Sequence, residues 1–152
     1  MKCEKHSRIG GIFHLAMVLK DKSFENQSVE LFKAVFQPKS SALKNLDKVS
    51  RMHCPELDYF VAFSSFSAGF GISGQTNYGA TNSAMERLIE QRRHDGYPGI
   101  AIQWGLIGDV GGLIDAKGDN DTVLRGCLPL RIFNAFEIFD LILCLNRPIV
   151  SR

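Results

Sequence analysis

The sequence lacks a long uninterrupted apolar stretch of the kind that crosses a membrane. Its most apolar late segment is broken by two acidic residues, Glu137 and Asp140, and its first six residues are largely charged. A membrane-spanning helix needs about 20 consecutive apolar residues, and a secretory signal needs an apolar core after a basic start. We therefore expect no membrane partner and no secretion, which favours a cytoplasmic protein.

Paired cysteines and a strong charge imbalance are also missing. The formal net charge of the 152 residues is only +2, and the four cysteines, which form no CxxC pair, are Cys3, Cys54, Cys127 and Cys144. Scattered cysteines are typical of reduced thiols in a cytosolic protein, so we expect no metal site. The one dense basic run, 92–94, falls at a predicted helix end, where solvated positive charge complements the helix dipole. We therefore expect no nucleic-acid partner.

Strand-like and helix-like segments alternate along the chain. With 45% hydrophobic and 22% charged residues, the composition is typical of one globular domain. Alternation implies an α/β fold with a parallel sheet and right-handed crossovers. The nearly all-apolar segment 10–19 predicts a central strand. Further strands are predicted at 59–66, 99–105 and 148–151, and helices at 25–49 with an interruption at Pro38, 75–94, 120–126 and 130–145, with a glycine-rich loop at 106–118.

Three polar residues lie around the end of the second predicted strand. Ser65 stands where this strand leads into a glycine-rich loop, and Tyr78 and Asn82 follow on the next predicted helix. Because they are four residues apart, Tyr78 and Asn82 share one face of that helix. In open α/β sheets, ligands bind in the crevice at the carboxyl ends of strands. We therefore expect these three side chains to converge on one small volume.

The loop before Tyr78 offers an alternative, because 69–74 matches the dinucleotide fingerprint G-x-G-x-x-G. That motif requires an acidic residue at the end of the next strand to hold a ribose. Asp95 has about the right spacing but precedes the strand, and Asp109 lies too far beyond it. A tyrosine in the first helical turn would also crowd a pyrophosphate. The sequence thus favours a flexible loop that lets a substrate approach Ser65.

Each of these residues also has a purely structural interpretation. Ser65 could cap the strand end and Tyr78 could pack at the loop, whereas an asparagine in mid-helix mildly favours a special role. His14, inside an apolar strand, is more typical of a hydrogen-bonded core histidine than of a ligand. Trp104 and the phenylalanines are more typical of the core than of a binding surface. The residue types alone leave both interpretations open.

Four segments together resemble a known family. They are Phe36-Gln-Pro-Lys-Ser, Phe63-Ser-Ser-Phe-Ser, Gly74-Gln-Thr-Asn-Tyr-Gly-Ala-Thr-Asn and Gln103-Trp-Gly-Leu-Ile-Gly-Asp-Val-Gly. In this order they resemble the ketoreductase domain of animal fatty acid synthase, a member of the short-chain dehydrogenase/reductase superfamily, and the similar ketoreductases of polyketide synthases. The resemblance runs from about Gly10 to the last strand. It implies the second half of a Rossmann-like, doubly wound parallel sheet.

The resemblance implies a catalytic tetrad of Lys39, Ser65, Tyr78 and Asn82. Most of the superfamily carries tyrosine and lysine as Y-x-x-x-K, whereas in this branch the lysine comes from the preceding helix, where this chain has Lys39. Reduction of a ketone leaves negative charge on oxygen, so Tyr78 is the implied acid and Ser65 the hydrogen-bond donor. A nearby Lys39 ammonium is expected to lower the pKa of the phenol, and Asn82 to orient the site or anchor a water chain.

The resemblance also implies NADPH as the cofactor. The loop from Trp104 to Gly111 would lie along the nicotinamide, and Asp21 matches a position associated with a 3R alcohol product. The implied substrate is a 3-oxoacyl thioester carried on acyl carrier protein, within a multidomain fatty acid synthase. The residues implied to bind the cofactor are Ala16, Lys39, Tyr78, Trp104, Gly105 and Ile107.

The family's glycine-rich turn and first strands, which hold the adenosine phosphate, lie upstream of what matches Gly10. Residues 1–152 thus resemble a single partial ketoreductase domain without its N-terminal nucleotide-binding half. A parallel sheet cut in this way exposes a strand edge and apolar faces, which predicts poor solubility or a partner. Three functions remain open: the catalytic half of a 3-oxoacyl reductase, a non-catalytic remnant acting as an interaction piece, or a dehydrogenase subunit completed in trans.

Overall fold

The computed structural model of the chain describes residues 7–108 and 128–151. No helix in these two ranges is both long and apolar enough to span a membrane. The strands are β1 (Gly11–His14), β2 (Tyr59–Ser65), β3 (Ile100–Trp104) and β4 (Ile149–Ser151). The helices are α1 (Val29–Phe36), α2 (Ala42–His53), α3 (Phe66–Gly69), α4 (Thr76–His94) and α5 (Ile132–Leu143), with a 3-10 turn at Phe24–Asn26 and a π-helical turn at Gln37–Ser41. The predicted α/β class is confirmed.

All four strands are parallel and lie in the sheet in the order β1-β2-β3-β4. Successive side chains of β2 point to opposite faces, so Phe60 and Ala62 pack against α2 and α4, whereas Val61 packs against α5. The carboxyl ends of parallel strands meet at one edge, which places Ser65 in register beside Trp104. Helices on both faces of this parallel sheet give the predicted partial doubly wound arrangement.

The first strand is shorter than predicted, and the prediction that it is central is wrong for the described residues. Only Gly11–His14 is extended, and it pairs with β2 alone. Its register with β2 ends at His14, and the Ala16 carbonyl oxygen then accepts a hydrogen bond from Lys39 Nζ at 3.2 Å. Leu15 and Met17 are 58% and 60% exposed. The described part therefore has an open sheet edge beside apolar surface.

The helical stretch predicted for 25–49 is observed in two parts joined by a wider turn. Ser28 caps α1, because its Oγ accepts the N–H of Leu31 at 3.3 Å. At Pro38 the chain widens into the π-helical turn and continues as α2, since this turn accommodates a residue with no N–H to donate. The later predicted strands and the helices 75–94 and 130–145 agree to within two residues, whereas the short helix α3 was not predicted and lies at the predicted strand end and in the glycine-rich loop. The predicted helix 120–126 and most of the loop 106–118 lie outside the described residues.

A buried arginine joins α2 to α4. Arg92 is fully buried and donates to Asp47 Oδ1 at 2.6 Å, Ser50 Oγ at 3.0 Å and the Pro98 carbonyl oxygen at 2.6 Å. Its guanidinium carbon lies 4.1 Å from the centroid of the Phe60 ring. The expectation that the whole run 92–94 is solvated is therefore wrong at Arg92, because a carboxylate and an aromatic ring on neighbouring elements take the place of water.

Candidate active site

Lys39 is buried at the carboxyl edge of the sheet rather than solvated. Its side chain is 1% exposed, and Nζ donates to the carbonyl oxygens of Ala16 at 3.2 Å and Phe63 at 3.1 Å. The same nitrogen lies 5.2 Å from the centroid of the Tyr78 ring. The structure thus brings together two of the four residues that the resemblance implies, although they are 39 positions apart in the sequence.

The π-helical turn and a histidine direct Lys39 inward. His14, the last residue of β1, is buried, and its Nε2 lies 2.9 Å from the Lys39 carbonyl oxygen. Because a carbonyl oxygen can only accept, His14 donates from Nε2–H. Burial, as the largest cause, lowers the pKa of His14 below 6.5, so the ring is neutral at pH 7. The prediction of a hydrogen-bonded core histidine is confirmed, and its partner belongs to the turn that carries Lys39.

Tyr78 lies in the first turn of α4 and is 8% exposed. Burial raises the pKa of Tyr78 above its usual 10.0; the Asn82 side chain opposes this rise and the Asp21 carboxylate adds to it. The expectation that Lys39 eases loss of the phenolic proton stays a prediction, since the net rise in the pKa has burial as its largest cause. Lys39 Nζ lies over the ring and hydrogen-bonds to two carbonyl groups, so burial dominates. The phenol is therefore protonated at neutral pH, as a proton donor must be.

Asn82 and Ser65 are held by local hydrogen bonds. Asn82 is fully buried and its Nδ2 donates to the Tyr78 carbonyl oxygen at 2.9 Å, while its Oδ1 has no partner among the described residues. Ser65 Oγ accepts the N–H of Ser67 at 3.1 Å and so caps α3. A hydroxyl that accepts one bond can still donate another, so capping and a role in chemistry are compatible for Ser65.

Glycines let the loop before α4 pack closely. Gly71 and Gly74 have φ of +74° and +82°, the left-handed region that favours glycine. The Gly74 carbonyl oxygen accepts from the N–H of Lys22 at 2.9 Å, which ties the loop to the segment after β1. A Cβ atom on Gly79 would lie 2.9 Å from the Ser67 carbonyl oxygen. The first turn of α4 therefore approaches α3 as closely as the backbone allows.

The side chains expected along the cofactor belong largely to the core. Trp104 is 9% exposed and stacks on Phe63 with ring centroids 6.1 Å apart, and its Nε1 has no partner in the described ranges. Ile107 packs in the same cluster and bridges to Leu130. Gly105 lies between them and Ala16 contacts Lys39 through its carbonyl group. The main chain here is fixed as well, because the Leu106 carbonyl oxygen accepts from the Leu130 N–H at 2.7 Å.

Sequence reasoning missed three buried polar residues directly behind this site. Ser64, Glu86 and Gln103 are each less than 9% exposed, and Ser64 and Gln103 both donate hydrogen bonds to Glu86. One signal was present, since Glu86 follows Tyr78 and Asn82 at the same four-residue helical spacing. Nothing local, however, indicates that it meets side chains 22 and 17 positions away.

The buried Lys39 amine is expected to make stability depend on pH. Burial lowers the pKa of Lys39 from 10.5 to about 8, so between these values the unfolded chain binds a proton that the folded chain lacks. Stability therefore rises with pH across this window. At about 1.4 kcal/mol per pKa unit, the unfolding free energy should gain about 2 kcal/mol between about pH 7.5 and about pH 9.5. Urea unfolding at both pH values measures this gain.

The exposed Lys44 on α2 provides the matched control for that measurement. Lys39→Met should remove the rise in stability, whereas Lys44→Met, which removes an exposed amine, should retain it. An unchanged pH dependence in Lys39→Met would show that the amine is not the group responsible.

The parallel sheet, with helices on both faces and a buried lysine and tyrosine at its carboxyl edge, is a Rossmann-like fold of the short-chain dehydrogenase/reductase type. The sequence profile of the KR domain matches residues 1–109. The chain therefore belongs to the ketoreductase (KR) domain family. Ketoreductase domains of polyketide synthases are oxidoreductases that reduce a β-keto group, and folds of this type generally bind NAD(P)H.

Relatives and solved structures agree on this family. A hybrid PKS-NRPS synthetase of Aspergillus violaceofuscus is 43% identical over 103 residues, which are 68% of this chain and 3% of that protein. A polyketide synthase of Streptomyces halstedii is 31% identical over 144 residues, 93% of this chain and 4% of that protein. The crystal structure of a ketoreductase domain from the bacillaene assembly line has a TM-score of 0.85 and 31% identity, covering 97% of this chain and 37% of that one.

The chain thus spans only a few per cent of the curated relatives that it matches. These relatives are large multidomain synthases of the polyketide type. The assignment to fatty acid synthase in particular stays a prediction.

Proposed function

We propose that this chain supplies the catalytic half of an NADPH-dependent ketoreductase. The reaction is reduction of a 3-oxoacyl thioester, carried on acyl carrier protein, to the 3-hydroxyacyl form within a fatty acid or polyketide synthase. The proposal rests on one observation above all, the buried Lys39 amine 5.2 Å from the centroid of the Tyr78 ring at the carboxyl edge of the sheet. That edge is where open α/β folds bind ligands.

Tyr78 is the proton donor in this proposal. Its raised pKa keeps the phenol protonated in the resting site, and reduction of the ketone creates an oxyanion basic enough to take that proton. The Lys39 amine, with a pKa of about 8, is mostly charged at pH 7 and stabilises the phenolate that remains. Burial strengthens this attraction, because a low dielectric screens it little.

Ser65 and Asn82 support the transfer. The Ser65 hydroxyl hydrogen is free to donate to the substrate carbonyl oxygen, where negative charge develops. Asn82 presents a buried Oδ1 that lacks a partner among the described residues, and a buried acceptor of this kind is suited to hold a water molecule. Such a water can carry a proton toward Tyr78 after each turnover.

The residues present fit the nicotinamide end of NADPH. An ammonium has three N–H donors, and Lys39 Nζ uses two of them on carbonyl oxygens, so the third is left for a ribose hydroxyl. Main-chain groups of the loop after Trp104 would meet the carboxamide. When bound, NADPH supplies the hydride that reduces the carbonyl carbon. The phosphates fit less well at 69–74, because the Gly74 carbonyl is tied to Lys22 and Tyr78 occupies the following helical turn.

The rest of the cofactor site must then come from another segment of protein. Among the described residues, the outer edge of β1 has no neighbouring strand, and Phe13, Leu15 and Met17 beside it are 44%, 58% and 60% exposed. An added parallel strand would pair with this edge and cover these side chains. We propose that the missing segment pairs with the outer edge of β1. It would belong either to the same multidomain synthase or to a separate subunit that completes the domain in trans.

Titration of NADPH with the chain, followed by NADPH fluorescence, tests the proposal. We expect enhanced emission on binding and slow reduction of a model ketone such as trans-1-decalone. Lys39→Met should abolish the enhancement, because it removes the proposed ribose contact, whereas Lys44→Met, exposed on α2, should keep it. Absence of both binding and turnover would instead favour a non-catalytic remnant or a subunit inactive without its partner. Recovery of activity with an added N-terminal half separates these two.

A further inference from the structure

A carboxylate lies buried two turns beyond Tyr78 on α4. Glu86 is 4% exposed, and the four-residue spacing places Tyr78, Asn82 and Glu86 along one helix face. Its Oε1 accepts hydrogen bonds from Ser64 Oγ at 2.5 Å and Gln103 Nε2 at 3.0 Å. Burial of a carboxylate is costly unless hydrogen bonds replace its water. These two bonds therefore hold the position of Glu86.

The two donors stand opposite each other on neighbouring strands. Ser64 of β2 is in register with Gln103 of β3, and the next pair in register is Ser65 with Trp104. Glu86 thus bonds to both strands one residue before the positions that enter the proposed active site. The carboxylate joins the helix of the proton donor to the two strand ends beside it.

Gln103 also contacts the short helix α3. A Cβ atom on Gly69 would lie 3.1 Å from Gln103 Oε1, so the Gln103 amide packs directly against the end of α3. Gln103 therefore contacts α3 with one end of its amide while donating to Glu86 with the other. The cap of α3 is Ser65 itself.

We propose that Glu86 is a positioning residue for this reductase. By accepting from Ser64 and Gln103 together, it sets how far the helix that carries Tyr78 lies from the strand ends that carry Ser65 and Trp104. Its effect on turnover rests on the proposed function. Its effect on the geometry of the strand ends is independent of the proposed function and can be measured without cofactor or substrate.

The chain provides a reporter for that geometry. Trp104 is the single tryptophan of the sequence, it is buried, and it directly follows Gln103. Loss of the Glu86 carboxylate should loosen the end of β3 and expose the indole. In Glu86→Ala we expect tryptophan emission at longer wavelength and stronger quenching by acrylamide, with helix content by circular dichroism retained. Glu86→Gln, which keeps one acceptor oxygen, should stay closer to the wild type.

Glu90→Ala is the matched control, one turn further along α4, where the carboxylate is partly exposed and paired with Arg87. It should leave Trp104 emission and quenching unchanged. Should Glu86→Ala fail to fold, Ser64→Ala removes one of the two bonds and should shift the Trp104 signals in the same direction by a smaller amount. Unchanged emission and quenching in Ser64→Ala and in any folded Glu86→Ala overturns the proposal.

The kcat of Glu86→Ala provides a second test of the proposal. Misplacement of reacting groups by about 1 Å can cost about 10²-fold in rate, and we expect a loss of that order in kcat for Glu86→Ala, with little change in KM for NADPH. A kcat equal to that of the wild type contradicts the proposal. If the wild-type chain shows no turnover at all, the proposed function fails, while Trp104 emission and quenching still decide the role of Glu86.

Discussion

Tyr78→Phe is expected to lower kcat for reduction of a ketone by about 10²–10⁴-fold, the usual contribution of a positioned proton donor. The substitution removes only the phenolic oxygen, so the ring can keep its place 5.2 Å from Lys39 Nζ. NADPH binding should weaken by much less than kcat falls, since Lys39 keeps its proposed ribose contact, and the free energy of unfolding should change little. Steady-state kinetics with trans-1-decalone, together with NADPH fluorescence titration, measures both parts of this expectation.

Tyr59 offers a control for this substitution. It stands at the start of β2, at the far end of the strand from Ser65, and is 42% exposed. Tyr59→Phe should retain wild-type turnover and wild-type NADPH binding. If Tyr78→Phe also retained turnover, another group would have to supply the proton, and the assignment of Tyr78 would be wrong.

Asp47→Ala is expected to cost about 3–5 kcal/mol in the free energy of unfolding, because it leaves the Arg92 guanidinium buried without its counter-ion. Asp47 accepts from Arg92 at 2.6 Å and from Arg51 at 3.0 Å, and Arg92 is fully buried. A loss of this size is a large fraction of the about 5–15 kcal/mol that stabilises most domains. Urea unfolding at neutral pH measures it.

The exposed ion pair between Arg8 and Asp58 is the matched control. Its side chains are 60% and 49% exposed, and its closest nitrogen and oxygen atoms are 2.8 Å apart. Removal of this carboxylate in Asp58→Ala should cost about 0–1 kcal/mol, as for other surface pairs. Equal losses of unfolding free energy in Asp47→Ala and Asp58→Ala would show that burial of Arg92 does not determine how much its ion pair with Asp47 contributes to stability.

Asp47→Ala and Tyr78→Phe together separate effects on stability from effects on catalysis. Arg92 lies 14 residues beyond Tyr78 on the same helix, which is about 21 Å at about 1.5 Å per residue. Asp47→Ala should therefore reduce the folded fraction and leave kcat per folded molecule unchanged, whereas Tyr78→Phe should do the reverse. The amino end of the sheet supports the fold, and the carboxyl edge carries the proposed chemistry.

Local patterns predicted most of the regular structure. Tyr59–Ser65 and Ile100–Trp104 are short runs of strand-forming residues bounded by turns, and Thr76–His94 ends at a glycine turn, so neighbouring residues set their bounds. The first strand was predicted too long, because an apolar run shows which residues avoid water and not which have a strand to pair with. Beyond His14, the register with β2 ends.

The site was predictable only in part. The spacing of Tyr78 and Asn82 on one helix face follows from helical geometry, whereas Lys39 was named through a family resemblance, since an isolated helical lysine is usually solvated. The burial of Lys39 comes from carbonyl groups of Ala16 and Phe63, more than 20 positions away on either side. The net rise in the pKa of Tyr78 could not be predicted from the sequence, because its largest cause is burial, a property of the packed molecule.

Residue order alone thus determined the sequence of strands and helices and the identity of the polar groups at one strand end, because both depend on neighbours within a few positions. Packing of distant segments determined the environment and the contacts of the residues at the site. It buried Lys39, raised the pKa of Tyr78, and joined Glu86 to Ser64 and Gln103 across 22 and 17 positions. Hydrogen bonds and desolvation between remote residues exist only once the sheet and its helices have assembled.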